Sequence, residues 1–163
     1  HRDLHSFPTR RSSDLKQSII AIGSGGLSGK EKDEATQTHY KFLPISTSDF
    51  IFAYTVERFG FWGALGVIGL YALLIVHLMT LNYKLKEDPF AQVITSGISL
   101  LIFFYMSVNI AMTIGLAPVV GVPLPFFSYG GSSFITFFAL FGILENLLAF
   151  RFDPTYRSIK YTL

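Results

Sequence analysis

Two carboxylates, Asp49 and Glu57, are the side chains of this sequence best suited to acid–base chemistry. Asp49 is flanked by Phe50 and Phe52 and precedes a long apolar run, so we expect it at the start of a helix at a membrane surface. A carboxylate held there could accept a proton from a substrate hydroxyl. Glu57 follows about 12 Å further along a straight helix and about 80° around it, so the two could share a cavity but not touch. From spacing alone, a simple helix-start acid is the favoured interpretation of Asp49.

A second feature that could contribute to a site is the charge-free stretch GLAPVVGVPLPFFSYGGSS, which we call the Pro/Gly hinge (residues 115–133). Proline lacks a backbone N–H and glycine is costly in a helix, so this stretch cannot be one continuous helix. Without charges it is no ordinary solvated loop. Beside a membrane, such backbone is tolerated only where protein buries it or where it lines a cavity. We therefore expect the Pro/Gly hinge to be a lid or a cavity wall.

The composition places these features in a membrane protein. Half of the 163 residues are hydrophobic, and no charged residue occurs from Pro89 to Leu144, well beyond the roughly 18 apolar residues that suggest a membrane span. The net charge of +2 gives no case for a nucleic-acid partner. The absence of cysteine excludes disulfides and thiolate metal sites. The spacing shows neither a metal-ligand cluster nor a nucleophilic triad.

The elements that must position the two carboxylates are predicted to be all α-helical. We expect a three-span membrane region over residues 49–150, in which residues 49–83 form one helix. Lys and Arg are divided almost evenly between the two sides, with a slight excess that favours a cytoplasmic turn at residues 84–89. The Pro/Gly hinge and Asp49 would then share the extracytoplasmic side. The expected segments are spans at about 59–83, 91–114 and 132–150, a truncated helix and extracytoplasmic loop at 16–48, and a cytoplasmic tail at 151–163.

Several assignments stay open at this level. Residues 1–15 differ in character from the rest and are either a non-native leader or a disordered tail. The GSGG at residues 23–26 is a weak phosphate-binding signal, and a flexible turn is favoured. Asn109 and Glu145 could line a polar path through the membrane, but an interhelical hydrogen bond and a carboxylate at a helix end are the favoured explanations.

Three blocks resemble the RodA/FtsW family, also called SEDS proteins. They are QSIIAIGSGGLSGK, then FLP followed by SDFIFAYTVERFG, and the Pro/Gly hinge itself. They occur in the family's order and spacing from Gln17 to Phe150. The wording PVVGVPLPF before SYGGSS is closer to the RodA members, which act in cell elongation.

This resemblance implies a ten-span polymerase of peptidoglycan in the bacterial cytoplasmic membrane, of which this chain would supply the last three spans and be inactive alone. The implied substrate is lipid II, a disaccharide-peptide on undecaprenyl diphosphate, polymerised on the outer face of the membrane. The implied partners are a class B penicillin-binding protein and other membrane proteins of the elongation complex. Two alternatives from other classes are a transporter of the lipid-linked precursor and a non-catalytic scaffold for the penicillin-binding protein.

The resemblance also implies roles for particular residues. Asp49 in TSDFIFA matches the family's essential carboxylate, which outweighs the simple helix-start interpretation and makes Asp49 the expected general base. The leaving diphosphate needs positive charge from Lys, Arg or a divalent cation, and no metal site is assigned. The sequence departs from the family at Ile45 and Arg58, where the family has acids, while Glu57 stays in register. The expected substrate-binding residues are Lys41, Glu57, Ser128, Tyr129, Gly130, Gly131, Ser132 and Ser133.

Overall fold

The computed structural model describes residues 6–30, 49–85, 88–128 and 131–152, and side chains over all of these except 6–14 and 150–152. Every regular element in these ranges is a helix. The four helices are α1 (Ser6–Ser24), α2 (Ile51–Lys84), α3 (Pro89–Thr113) and α4 (Gly131–Phe152).

Three of these helices are long and apolar enough to cross a membrane: α2, α3 and the Gly131–Ala149 part of α4. Large apolar side chains are exposed on all three helices, and several polar side chains of α2 and α3 are buried. Leu73, Val93 and Ile135 are about 70% exposed, while Thr95 and Asn109 are completely buried. Apolar groups outside and hydrogen-bonded polar groups inside are what a lipid environment favours. The predicted fold class, an all-helical membrane protein with three spans, is confirmed.

Helices α2 and α3 form the most extensive interface and run antiparallel. Asp88 caps α3 by accepting hydrogen bonds from the backbone N–H groups of Phe90 (3.2 Å) and Ala91 (3.4 Å), and Pro89 fits the first helical position, where its missing N–H is not needed. The side-chain amide of Asn82 donates to the hydroxyl of Ser96 across the interface. The short turn between the two helices therefore sets their antiparallel pairing.

The one long helix predicted over residues 49–83 is present as α2 from Ile51 to Lys84, but it is kinked at Gly60. Gly60 has φ 67° and ψ −157°, which breaks α2 into a short N-terminal half and a long membrane half. The Phe61 N–H donates to the carbonyl of Gly26 (2.9 Å), and the Glu57 carbonyl accepts from the Lys30 N–H (3.0 Å). In a continuous helix the Phe61 N–H would donate to the Glu57 carbonyl. Backbone groups of the glycine loop (residues 25–30) replace this hydrogen bond at the kink.

The glycine loop lies against α2 because Gly25 and Gly29, which face the helix, have no side chains. A Cβ atom on Gly25 would collide with the Val56 carbonyl oxygen, and one on Gly29 would collide with the Arg58 carbonyl oxygen. The predicted turn is present, and it packs directly on α2 rather than standing free. The assignments of residues 1–15 as a leader, 16–48 as an extracytoplasmic region and 151–163 as a cytoplasmic tail stay predictions; α1 begins at Ser6, inside the first of these stretches.

Candidate functional site

The candidate site lies where the start of α2, the end of α3 and the Pro/Gly hinge meet. Asp49, two residues before α2, is half-buried. A Cβ atom on Gly121 would lie 3.2 Å from Asp49 Oδ2, so the backbone of the Pro/Gly hinge passes directly beside the carboxylate. Gly121 has φ 70°, a conformation that favours glycine. The expectation that Asp49 and the Pro/Gly hinge share one side of the bundle is confirmed.

Asn109, in the last turn of α3, holds these two segments together. Its Nδ2 group donates to the backbone carbonyl of Asp49 (3.0 Å) and to that of Val122 (2.6 Å). The residue is completely buried, and its Oδ1 atom has no hydrogen-bond partner within the part of the chain that the structure describes. The sequence favoured a hydrogen bond from Asn109 to another helix. The structure shows instead that Asn109 bonds to two backbone carbonyls outside the regular helices.

The Pro/Gly hinge then runs back along the bundle before α4 begins. The hydroxyl of Tyr71, in the membrane half of α2, donates to the buried carbonyl of Pro125. Phe126 packs against three aromatic rings of α4, with centroid distances of 5.2 to 5.6 Å, to Phe137, Phe138 and Phe141. Phe141 lies ten residues beyond Gly131, or about 15 Å along the helix. Leu124 and Pro125 of the Pro/Gly hinge are thus buried, non-helical backbone packed alongside the spans.

Glu57 is completely buried, on the part of α2 that the glycine loop covers. A Cβ atom on Gly25 would lie 3.2 Å from the Glu57 Cα atom. Burial of a carboxylate is costly unless polar groups surround it, and Glu57 does have such an interaction. As arranged here, Glu57 is enclosed by the chain rather than open to a ligand beside Asp49.

Two serines of the Pro/Gly hinge, Ser132 and Ser133, belong to a pocket that Asp49 does not line. Ser132 and Ser133 line a pocket of about 170 Å³ between α3 and α4, with Thr136, Tyr105 and three apolar residues. Asp49 and Glu57 are not among its lining residues. Ser128 is buried, and its backbone N–H donates to the Leu124 carbonyl (2.9 Å). Gly131 opens α4 and is exposed. Lys41, Tyr129 and Gly130 lie outside the described residues.

The described carboxylates do not form a binding site for a metal ion that could assist the leaving group. Across the described ranges, no three His, Asp or Glu side chains come close enough to hold a metal ion. Glu145 is exposed on α4, whereas Asn109 is fully buried at the end of α3, so the two do not line a common polar path. The arrangement therefore offers one half-buried carboxylate, Asp49, whose backbone carbonyl accepts a hydrogen bond from Asn109.

Sequence reasoning missed three contributors to this site: the double hydrogen bond of Asn109, the Tyr71–Pro125 contact and the packing of the glycine loop at Gly60. The one available signal was the presence of Asn109 as a single strongly polar residue in an apolar span. Its acceptors lie 60 and 13 residues away in sequence, so no local pattern could identify them.

Comparison with known proteins adds a family. The family model of FtsW, RodA and SpoVE, described as a cell cycle protein, matches residues 3–152. That match covers nearly the whole chain, including the carboxylates, the Asn109 contacts and the Pro/Gly hinge.

Curated relatives extend this match. The chain is 58% identical over 164 residues to the peptidoglycan glycosyltransferase MrdB of Helicobacter pylori, covering 95% of this chain and 43% of the relative. It is 43% identical to MrdB of Escherichia coli K12, covering 89% and 39%, and 39% identical to the peptidoglycan glycosyltransferase RodA of Treponema pallidum, covering 87% and 33%. The chain therefore spans about two fifths or less of the length of these relatives.

Proposed function

This chain belongs to the FtsW/RodA/SpoVE family of cell cycle proteins, and from that premise we propose that it is the part of a peptidoglycan glycosyltransferase that carries the general base. The substrate is lipid II, and the product is a glycan strand. The reaction takes place on the outer face of the bacterial cytoplasmic membrane, as part of cell elongation.

In the proposed reaction Asp49 accepts the proton of the acceptor sugar's 4-hydroxyl. The oxygen attacks the anomeric carbon of the donor from the face opposite the diphosphate. The new glycosidic C–O bond forms as the bond from that carbon to the diphosphate oxygen breaks, and undecaprenyl diphosphate leaves with the electron pair. A direct displacement of this kind inverts the anomeric configuration, from α to β. A positioned base of this type contributes about 10²- to 10⁴-fold to rate.

The observation that carries the proposal is the fixed position of the Asp49 carboxylate beside Gly121. A general base must be held within hydrogen-bond reach of the proton that it removes. Asp49 is half-exposed, so a substrate hydroxyl can approach it, while Asn109 fixes its backbone. The relatives' names supply the reaction class: three of them are named peptidoglycan glycosyltransferases.

The remaining assignments are part of the same proposal. Ser132 and Ser133 in the pocket between α3 and α4 offer hydroxyls to the diphosphate or a sugar. The substrate-binding roles of Lys41, Glu57, Ser128, Tyr129, Gly130 and Gly131 stay predictions. Positive charge for the leaving group comes from Lys, Arg or a divalent cation. The protein partners are a class B penicillin-binding protein and other membrane proteins of the elongation complex.

A transporter or a scaffold would use the same membrane region differently. Transport requires a continuous polar path, and the two residues considered for it, Asn109 and Glu145, are respectively buried and outward-facing. A scaffold requires no carboxylate at position 49.

The deciding experiment is glycan synthesis from purified lipid II in detergent by a full-length protein that contains this chain, with its penicillin-binding partner, as wild type and as Asp49→Asn. Detergent abolishes transport, so product from the wild type identifies an enzyme. We expect Asp49→Asn to bind the partner normally and to form no glycan. Wild-type amounts of product from Asp49→Asn would exclude the general-base role.

A further inference from the structure

We propose that Asn109 is a positioning residue for the Asp49 carboxylate: its side-chain amide ties the backbone that carries Asp49 to the backbone of the Pro/Gly hinge. This inference rests on the proposed function, because it assigns Asn109 a role in the reaction of Asp49. Asn109 contacts the backbone of Asp49 and the backbone of the Pro/Gly hinge, and it does not contact the reacting atoms.

The first support is the geometry of the amide. A single NH2 group carries two donors, and here each donor reaches a different carbonyl, one at Asp49 and one at Val122. Both acceptors lie outside regular helix, where no helical neighbour satisfies them. One side chain therefore sets the separation of two non-helical segments.

The second support is what that separation controls. Val122 directly follows Gly121, the residue whose backbone lies beside Asp49 Oδ2. Asn109 thus bonds to the backbone of Asp49 and to the backbone of Val122. Val122 is one residue from Gly121, whose backbone faces the Asp49 carboxylate. Changing the amide would shift both sides of the site relative to each other, and a misplacement of about 1 Å can cost about 10²-fold in rate.

The test compares Asn109→Leu with Asn82→Leu in the full-length protein. Asn82 is the matched control because its side-chain amide also donates a hydrogen bond and its buried Oδ1 also lacks a partner among the described residues, but its acceptor is Ser96, towards the other end of α3. For Asn109→Leu we expect kcat for glycan synthesis to fall about 10- to 100-fold while KM for lipid II changes less than about threefold. For Asn82→Leu we expect kcat within about twofold of wild type, with a similar loss of thermal stability.

A second variant tests the same point without altering Asn109. Gly121→Ala places a methyl group 3.2 Å from Asp49 Oδ2 and strains a left-handed residue. Gly97→Ala, in α3, where an added Cβ atom meets none of the described residues within 4 Å beyond its own helix backbone, is the control for an added methyl group. We expect Gly121→Ala to lower kcat at nearly constant KM and Gly97→Ala to leave kcat unchanged. This pair decides the matter if Asn109→Leu does not fold.

The outcomes separate the two proposals. Full activity of Asp49→Asn would overturn the proposed function itself. An inactive Asp49→Asn together with a fully active Asn109→Leu would overturn only the positioning role. Equal kcat losses in Asn109→Leu and Asn82→Leu, or in Gly121→Ala and Gly97→Ala, would reduce Asn109 to a structural residue and also contradict the inference.

Discussion

Asn109 and Asp49 are 60 residues apart in sequence and joined by one hydrogen bond. At the scale of single residues, the candidate site is built from side chains that bond to backbone carbonyls where the chain is not helical. Asn109 does this at Asp49 and Val122, and Tyr71 does it at Pro125. Because proline supplies no N–H, the Pro/Gly hinge depends on such side chains to fix its course.

The Tyr71 contact gives a prediction about stability. Tyr71→Phe keeps the ring but leaves the buried Pro125 carbonyl without this donor. Loss of a buried hydrogen bond of this kind costs about 1 to 3 kcal/mol, so we expect a lower free energy of unfolding, measured as thermal or denaturant unfolding in detergent.

The control for Tyr71→Phe is Tyr105→Phe, which also removes a phenolic hydroxyl but keeps the edge-to-face contact of ring 105 with Phe137, whose centroids are 5.3 Å apart. We expect this variant to unfold close to wild type. Equal stability of Tyr71→Phe and wild type would contradict a stabilising role for the Pro125 contact.

At the scale of elements, the N-terminal half of α2 is held by the glycine loop. Backbone of the loop meets backbone of α2, with Gly25 against Val56 and Gly29 against Arg58. This contact orients the short half-helix that follows Asp49, and it requires the absence of side chains at both glycines.

Gly25→Ala tests that contact. The added methyl group would collide with the Val56 carbonyl, which can move only if backbone moves, and overpacking of this kind costs about 1 to 3 kcal/mol. We expect lower stability in unfolding measurements and reduced glycan synthesis by the full-length protein.

The matched control is Gly23→Ala, in α1, where a Cβ atom meets nothing within 4 Å. Alanine is favoured over glycine in a helix by about 0.5 to 1 kcal/mol, so this variant is expected to be neutral or slightly stabilising. A Gly25→Ala protein as stable as Gly23→Ala would show that the loop does not pack on α2 as described.

The kink at Gly60 illustrates what the sequence could not supply. The apolar run from Phe59 to Tyr83 correctly predicted a span, because length and the absence of charge are sufficient for that. Gly60, Gly63 and Gly66 repeat at short intervals, a pattern typical of close packing between membrane helices. The reason for the break lies in the glycine loop, about 30 residues earlier in sequence, and no periodicity within α2 indicates it.

The candidate site was predictable in part for the same reason. The proximity of Asp49 and the Pro/Gly hinge followed from placing both at one end of the spans, and the Gly121 contact confirms it. Ser132 and Ser133 were grouped with Asp49 because all three belong to motifs that resemble the family's. These serines line a pocket that Asp49 does not line. Their substrate-binding role stays a prediction.

At the scale of the whole molecule, the exposed apolar side chains of α2, α3 and α4 make the membrane the relevant solvent. The distribution of Lys and Arg favours a cytoplasmic turn near Lys84 and places the Pro/Gly hinge on the opposite side. Polymerisation on the outer face requires this orientation, because Asp49 lies at the Pro/Gly hinge.

The orientation can be tested with single cysteines, since this chain has none of its own. Val120→Cys lies in the Pro/Gly hinge and Phe90→Cys near the opposite end of α3; both side chains are well exposed, at 57% and 68%. We expect a membrane-impermeant maleimide to label position 120 in intact spheroplasts and position 90 only after lysis. Labelling of position 90 but not 120 in intact spheroplasts would contradict the proposed orientation.

The most direct measurement of the central claim is the rate of glycan synthesis from lipid II by full-length Asp49→Asn and Asp88→Asn proteins, compared with wild type. The two changes are identical in chemistry and lie at opposite ends of the bundle. Asp88 caps α3, and asparagine caps a helix about as well as aspartate, so Asp88→Asn should retain wild-type activity. Removing a general base costs about 10²- to 10⁴-fold, so we predict at least a 100-fold loss for Asp49→Asn; wild-type activity of that variant would contradict the assignment of Asp49.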